Sequence, residues 1–440
     1  MTHGIGSEPE IKTDINEYFC GMKVEIINVG NELLIGQVVN TNAAWMAEQL
    51  NLAGFMVNQF TVIGDNSQEI LESLKNAHLR SDIILMTGGI GPTKDDITKN
   101  ALCQFFRTRL VFNQQAYDNI ERFFILRGIP VTNLNRKQAE IPEKCTPVPN
   151  KNGTASGMWF ETEMADREGK VIFVSMPGVP FEMKAMLTDP VIPLLKQLFR
   201  SQAIVHRTIM TQGIGESFLS DIIESWEKQL PANISLAYLP QPGIVRLRLT
   251  GTGPVAESVR SRIVEEIVKL TKIIPEYIYG FDDESLEEIV GGLLTAKGST
   301  LATAESCTGG YIAHLITSVP GSSKYFKGSI VAYANEVKEN ELDVNSESLL
   351  KFGAVSETVV REMATNIRRR FNVDFAIATS GIAGPDGGIA GKPVGTAWIA
   401  IATPTKVMAE KYLFGENRER NIRRTALQAL NLLRKAIIYG

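Results

Sequence analysis

From Met22 onward the chain switches repeatedly between two hydrophobic periods, and that alternation restricts its fold more than any other feature. The runs KVEIINVG, MVNQFTVIG and SDIILMTGG are short and strand-like, whereas NTNAAWMAEQLNLAG and NSQEILESLKNAHLR carry apolar residues at helical spacing. Together they read as a βαβαβ series. Apolar strands with little alternation, flanked by helices, imply a parallel sheet covered on both faces, with its ligand at the carboxyl ends of the strands. A last strand, KVIFVSMPG, and the helical FEMKAMLTDPVIPLLKQLF close this block, expected over 22–202.

A middle block, 203–280, runs strand HRTIMTQG, helix ESFLSDIIESWEKQL, strand GIVRLRLTG and helix VAESVRSRIVEEIVKLTKII. It reads as a small α+β module. KH-type RNA-binding domains have a related order of elements but clamp nucleotides with a GxxG loop, which is missing here, so a spacer or dimerisation role is expected. A third α/β block, 281–440, holds LATAESCTGG, GSIVAYANE and VDFAIATSGIAGPDGG and ends in the helix RNIRRTALQALNLLRKAII. The echo of TGGIGP in TSGIAGP is what two strand ends followed by turn residues would give by chance. Three blocks agree with 440 residues at roughly 150 per domain. The fold class is therefore multidomain α/β. Residues 1–21 read as a polar leader, an extension ahead of a folded chain that starts at Met22.

A formal net charge of -4 argues against nucleic acid or an anionic membrane as the main partner. No apolar stretch reaches the roughly 18 residues that would span a bilayer. Four scattered cysteines with no CxxC, and four histidines at no metal-ligand spacing, argue against structural zinc and fit the cytoplasm.

Two stretches carry candidate chemistry. In TGGIGPTKDDITKN, Gly88, Gly89 and Gly91 form a turn at a strand end, where backbone N–H groups can cradle a phosphate. The structural alternative makes Thr93 an N-cap and Asp96 a first-turn acid that offsets the helix dipole. Two adjacent carboxylates, Asp95 and Asp96, would repel an anion unless a divalent cation bridged them, which favours a metal-assisted phosphate site. In AESCTGG, a strand ending at Glu305 and a helix from Tyr311 would hold Ser306 or Cys307 above helix N-terminal amides. Either is a possible nucleophile. Cys307 has no histidine placed to lower its pKa, since His314 falls within the helix, and a free cysteine is more often a small buried hydrophobe. Ser306 needs a base, and without histidine the recurrent solution is a desolvated lysine. Lys338 follows a strand that can lie beside the nucleophile strand, with Tyr333 and Asn335 adding polar groups. Its alternative is a solvated lysine on a polar helix. TSGIAGPDGG and KPVGTAW supply further donors, although turn chemistry alone explains their glycines and Pro385.

GNELLIGQVVNTN, VIGDN, TGGIGPTKDDIT, NRKQAEIP, NGTASGMW and MPGVPFEMK resemble the N-terminal domain of the competence/damage-inducible CinA family, which is similar to the molybdopterin-binding MoaB/MogA fold. The resemblance implies a three-layer α/β/α domain with metal-dependent ADP-ribose pyrophosphatase activity. Carried over by position, Gly88, Gly89 and Gly91 approach the diphosphate, joined by Thr93. Asp95 and Asp96 hold a divalent metal (Mg, Mn or Co), and Glu32, Thr41 and Asn42 line the opposite wall. Asn40 departs from a frequent aspartate, so a carboxylate is lost there, and Ser156 departs from a frequent proline.

TLATAESCTGG, GSIVAYANEVK, FGAVS, TSGIAGPDGG and KPVGTAWIA resemble the C-terminal CinA domain, the PncC-type nicotinamide mononucleotide deamidase. This implies an α/β/α domain in which Ser306 attacks the nicotinamide carbonyl and Lys338, assisted by Tyr333, moves the proton, with no cofactor. Thr308, Gly309 and Gly310 would form the oxyanion side, and Gly381, Ala383 and Gly384 would meet the nucleotide, with Asn335 nearby. Arg418 and Arg423 would bind its phosphate. The implied partners are nicotinamide mononucleotide and ADP-ribose, without nucleic acid or membrane, and the expected assembly is a homodimer. Two other classes stand beside this reading: a regulatory protein tied to DNA uptake and repair, and a molybdopterin-binding protein.

Overall fold

The computed structural model describes residues 22–91, 97–164, 169–199 and 202–440, so the 1–21 leader lies outside it. The chain divides into two compact units, one of residues up to Val205 with Thr252–Val259, the other of His206–Gly251 with Arg260–Gly440.

The first unit is built on a six-stranded sheet in the order Met56–Ile63, Lys23–Val29, Ile83–Thr87, Lys170–Met176, Gly157–Glu163, Thr146–Val148. The first four strands are parallel, as the βαβ pattern predicts. The last two are antiparallel, so the sheet is mixed and not wholly parallel. The reason is the connection: only a few residues separate Glu163 from Lys170, too short for the crossover that a parallel pair requires. Both faces are covered. Val24, Ile26, Leu85 and Val174 pack with Met46 and Leu50 of the Thr41–Leu52 helix. Ile27, Ile84, Met86 and Phe173 pack with Ile70 and Leu74 of the Ser67–Arg80 helix.

In the second unit a four-stranded sheet runs Ile234–Gln241, Ile244–Gly253, Ala203–Gln212, Ile278–Phe281. A five-stranded sheet runs Phe326–Val331, Leu301–Glu305, Phe375–Gly381, Thr396–Ala402, Val407–Leu413. Its first three strands are parallel and its last two antiparallel. The two faces differ in residue size. Leu301, Phe375, Ile377, Ile399 and Ile401 share a core with the helices Leu286–Lys297 and Arg418–Tyr439. Ala302, Ala304, Ala376, Ala378, Ala400 and Ala402 form the other face, where Val360, Met363 and Ile367 of the Glu357–Phe371 helix fill the space that alanines leave. Met210, Ile244 and Tyr279 of the small module belong to the larger-residue core. Among the described residues no helix is long and apolar enough to cross a membrane.

Candidate active site

Glu305 ends the second strand of the five-stranded sheet, in register with Val331 on one side and Thr379 on the other. The chain then leaves the sheet through Ser306–Gly310 and enters the Tyr311–Ser318 helix. Gly309 and Gly310 adopt φ values of 60° and 94°, a left-handed pair that only glycine tolerates without strain. The Ser306 N–H donates to Thr379 O at 3.0 Å, and its carbonyl accepts from Gly309 N–H at 3.1 Å. Ser306 is 8% exposed, and its Oγ has no hydrogen-bond partner among the described residues. A nucleophile poised for a substrate carbonyl needs that freedom.

The helix start is organised by Glu305 itself, whose carboxylate is fully buried. Its Oε2 accepts from Gly310 N–H at 3.1 Å and Ile312 N–H at 3.0 Å, and its Oε1 from Ala313 N–H at 2.8 Å. A negative group at a helix N-terminus satisfies amides that would otherwise lack acceptors. This corrects the expected oxyanion side. The Gly309 amide is held by Ser306 O and the Gly310 amide by Glu305, so neither is free for a substrate. Among the described residues the Thr308 N–H has no acceptor, while its hydroxyl pairs with Thr379 Oγ1 at 2.8 Å. Glu305 and Thr379 escape sequence reasoning because their partners come from folding. The one available signal is an acidic residue closing an apolar strand.

Lys338 lies on the Asn335–Leu342 helix, whose neighbouring strand, Phe326–Val331, pairs with the Ser306 strand. NEVKENEL reads as a polar helix, yet Lys338 and Leu342, one turn apart, both turn inward. Lys338 is 1% exposed and donates from Nζ to Ala332 O at 2.7 Å and Tyr333 O at 3.3 Å. The solvated alternative is therefore excluded. Burial pushes its pKa below the ordinary lysine value, partly opposed by the nearby Cys307 thiol. It makes no hydrogen bond to Ser306 Oγ, and its third donor stays uncommitted. Cys307 is buried against Gly381, where an added Cβ would come within 3.1 Å of its Sγ. Burial pushes its thiol up to about 12, which leaves it neutral and a poor nucleophile at physiological pH.

The Tyr333 carbonyl serves Lys338, while its exposed hydroxyl accepts from Arg418 Nη2 at 2.8 Å. Arg418, first residue of the last helix, also donates from Nη1 to Gly384 O at 2.8 Å, tying the Ala383–Gly384 turn to Tyr333. Ala383 O accepts from the buried Asn421 Nδ2 at 2.9 Å, a residue the sequence does not single out. Gly381 closes its strand where a Cβ would meet Thr396 O at 2.6 Å. Asn335 begins the lysine helix and Arg423 sits on the last one, both exposed. His314 is exposed and has no contact with Ser306 or Lys338.

In the first unit the other expected residues follow two neighbouring parallel strands, Lys23–Val29 and Ile83–Thr87, and Gly178 follows the next, Lys170–Met176. At Gly88 (φ 104°) a Cβ would lie 2.2 Å from Val29 O, and at Gly89 (φ 66°) 2.2 Å from Thr98 Oγ1. The turn thus needs both glycines for its own packing, and Gly91 follows it, half-buried. Asn42 donates to Gly178 O at 2.7 Å and keeps a buried, unpartnered Oδ1. Thr41 is exposed at the start of its helix, and Glu32 is exposed with its carboxylate against Gly30. Asn40 is the N-cap of that helix, accepting from Ala43 N–H, a role asparagine and aspartate fill equally well. Ser156 is buried. Thr93, Asp95 and Asp96 lie outside the described residues. The described helix beyond them spans Thr98–Phe105. Among the described residues no group of three His, Cys, Asp or Glu side chains is placed to hold a metal.

Family models match three segments: a probable molybdopterin binding domain over 25–197, a damage-inducible protein CinA KH domain over 206–280 and a CinA C-terminal domain over 283–437. A CinA-like protein of Cytophaga hutchinsonii is 46% identical, covering 94% of this chain and 97% of that protein. Another, of Flavobacterium psychrophilum, is 46% identical, covering 95% of this chain and 99% of its own. The crystal structure of the competence/damage inducible protein CihA from Agrobacterium tumefaciens is 37% identical with a TM-score of 0.34, over 34% of this chain and 93% of that one.

Proposed function

Since this chain belongs to the CinA family, we propose that its second unit hydrolyses the amide of nicotinamide mononucleotide to nicotinate mononucleotide and ammonia. The observation that carries this reading is a buried Ser306 whose Oγ has no hydrogen-bond partner among the described residues, next in sequence to a Cys307 that interacts with a buried lysine of lowered pKa. Neutral Lys338 takes the Ser306 proton as Oγ bonds to the amide carbon, and the Thr308 N–H faces the oxyanion that forms. Protonated Lys338 then returns the proton to the departing nitrogen, and the C–N bond breaks to release ammonia. Water, activated by the same lysine, splits the Ser306 ester. Gly381, Ala383 and Gly384 meet the nucleotide, with Asn335 at the rim, and Arg423 takes the phosphate. Arg418 acts by holding Tyr333 and Gly384 in place. The test is ammonia and nicotinate mononucleotide release from nicotinamide mononucleotide in the presence of EDTA. A chain that leaves this substrate intact is not a deamidase.

A second reading concerns the first unit. The glycine turn at Gly88–Gly89, at the strand ends, suits a phosphate, and the unpartnered Oδ1 of Asn42 suits a donor such as a sugar hydroxyl, which together support a ligand such as ADP-ribose. In this proposal Asp95 and Asp96 would hold a divalent ion, which would offset the charge of the diphosphate. Asp95→Asn and Asp96→Asn should each lower ADP-ribose hydrolysis about tenfold or more, and EDTA should mimic them. Hydrolysis that is unchanged in both variants would remove the carboxylates from that role.

A further inference from the structure

Within the second unit, a cleft of about 470 Å3 opens between the turn after the Ala203–Gln212 strand, the turn at Gly243, and the last strand and helix of the third block. One wall is aromatic. Tyr412 and Phe414 are stacked with ring planes 2° apart, and the Arg424 guanidinium lies 4.9 Å from the Phe414 centroid. Gln212, 3% exposed, also lines the cleft. Its Nε2 donates to Gln428 Oε1 at 2.9 Å, and Gln428 Nε2 donates in turn to Tyr412 Oη at 2.8 Å. That relay fixes the amide orientation and leaves Gln212 Oε1 buried without a donor. Arg424 commits Nη1 to Phe414 O at 2.9 Å, while its Nε is buried without an acceptor.

Two residues that line this cleft thus hold a buried unpaired acceptor and a buried unpaired donor just behind its surface, beside the parallel Tyr412 and Phe414 rings. Buried polar groups are rarely left unpaired, and such a pair matches a planar ligand whose edge offers one N–H and one ring nitrogen or carbonyl. We propose that this cleft binds a purine nucleoside or its monophosphate. The base lies along Tyr412 and Phe414, its N–H donates to Gln212 Oε1, and its acceptor receives the Arg424 Nε–H. The sugar end points to the mouth, where the Glu216–Glu227 helix begins at Gly215 with no side-chain cap. Glu216 in that first turn disfavours a highly charged polyphosphate. This site is distinct from the Ser306 loop and independent of the reaction proposed there.

Calorimetric titration of the full chain with AMP and with GMP tests the proposal. At least one should bind, and Gln212→Leu and Arg424→Lys should each weaken it about tenfold or more, because one removes the acceptor and the other the planar fork. Thermal unfolding by circular dichroism identifies a variant that has lost its fold, and the other variant then carries the comparison. Failure of both nucleotides to bind the wild type, or equal affinity for the wild type and the folded variants, would overturn the site.

Discussion

A lysine in water is protonated at neutral pH, but Lys338 sits in a buried site with its Nζ against two carbonyls, and there the charged form is costly. The sign of the consequence follows. Its folded pKa is below the ordinary value of 10.5, so the penalty is complete below the lowered pKa and vanishes as pH rises toward 10.5. Urea unfolding of the wild type and of Lys338→Met should therefore show wild-type stability gaining on the variant through that window. A gap that is flat with pH would mean that Lys338 is not desolvated. Lys338→Arg keeps the charge but cannot release its proton, so deamidation should fall about 100-fold or more, measured as ammonia release. Ser306 and Lys338 were legible in sequence as a hydroxyl on a glycine turn and a lysine after a strand. What the sequence withheld was their surroundings. Thr379 reaches Thr308 across 71 residues, and the Tyr333 hydroxyl turns to Arg418 85 residues away, contacts that no local pattern encodes.

The strand–loop–helix element around Ser306 depends on Glu305, whose carboxylate holds three helix-start amides. Glu305→Gln loses the negative charge and turns one oxygen into a donor facing N–H groups. The expected cost is about 1–3 kcal/mol in urea denaturation. Because the same loop places Ser306, kcat for deamidation should fall about tenfold or more. Unchanged stability and turnover would reduce Glu305 to a passive cap. At this scale the sequence showed where strands and helices lie, since hydrophobic period reports burial. It did not show strand direction. Gly157–Glu163 pairs antiparallel with Lys170–Met176, and Thr396–Ala402 with Val407–Leu413, across short connections, whereas Thr396–Ala402 pairs antiparallel with Phe375–Gly381 across a longer loop; a run such as VGTAWIAIA looks the same in either orientation.

For the whole molecule, the Ser306 site is made of residues 305–421, inside the segment matched by the CinA C-terminal domain. The core beneath it reaches further, through Met210, Ile244 and Tyr279 of the small module. A fragment 283–440 should therefore keep deamidase activity but be less stable than 206–440, by on the order of 3 kcal/mol, because those apolar contacts are lost. Equal thermal unfolding of the two fragments would show that the shared core contributes nothing. The measurement closest to the central claim is ammonia release from nicotinamide mononucleotide by the full chain, compared among wild type, Ser306→Ala and Cys307→Ala. The account predicts steady release by the wild type, none above background from Ser306→Ala, and near wild-type rates from Cys307→Ala. Turnover by Ser306→Ala at the wild-type rate, or its loss in Cys307→Ala alone, would contradict a serine nucleophile.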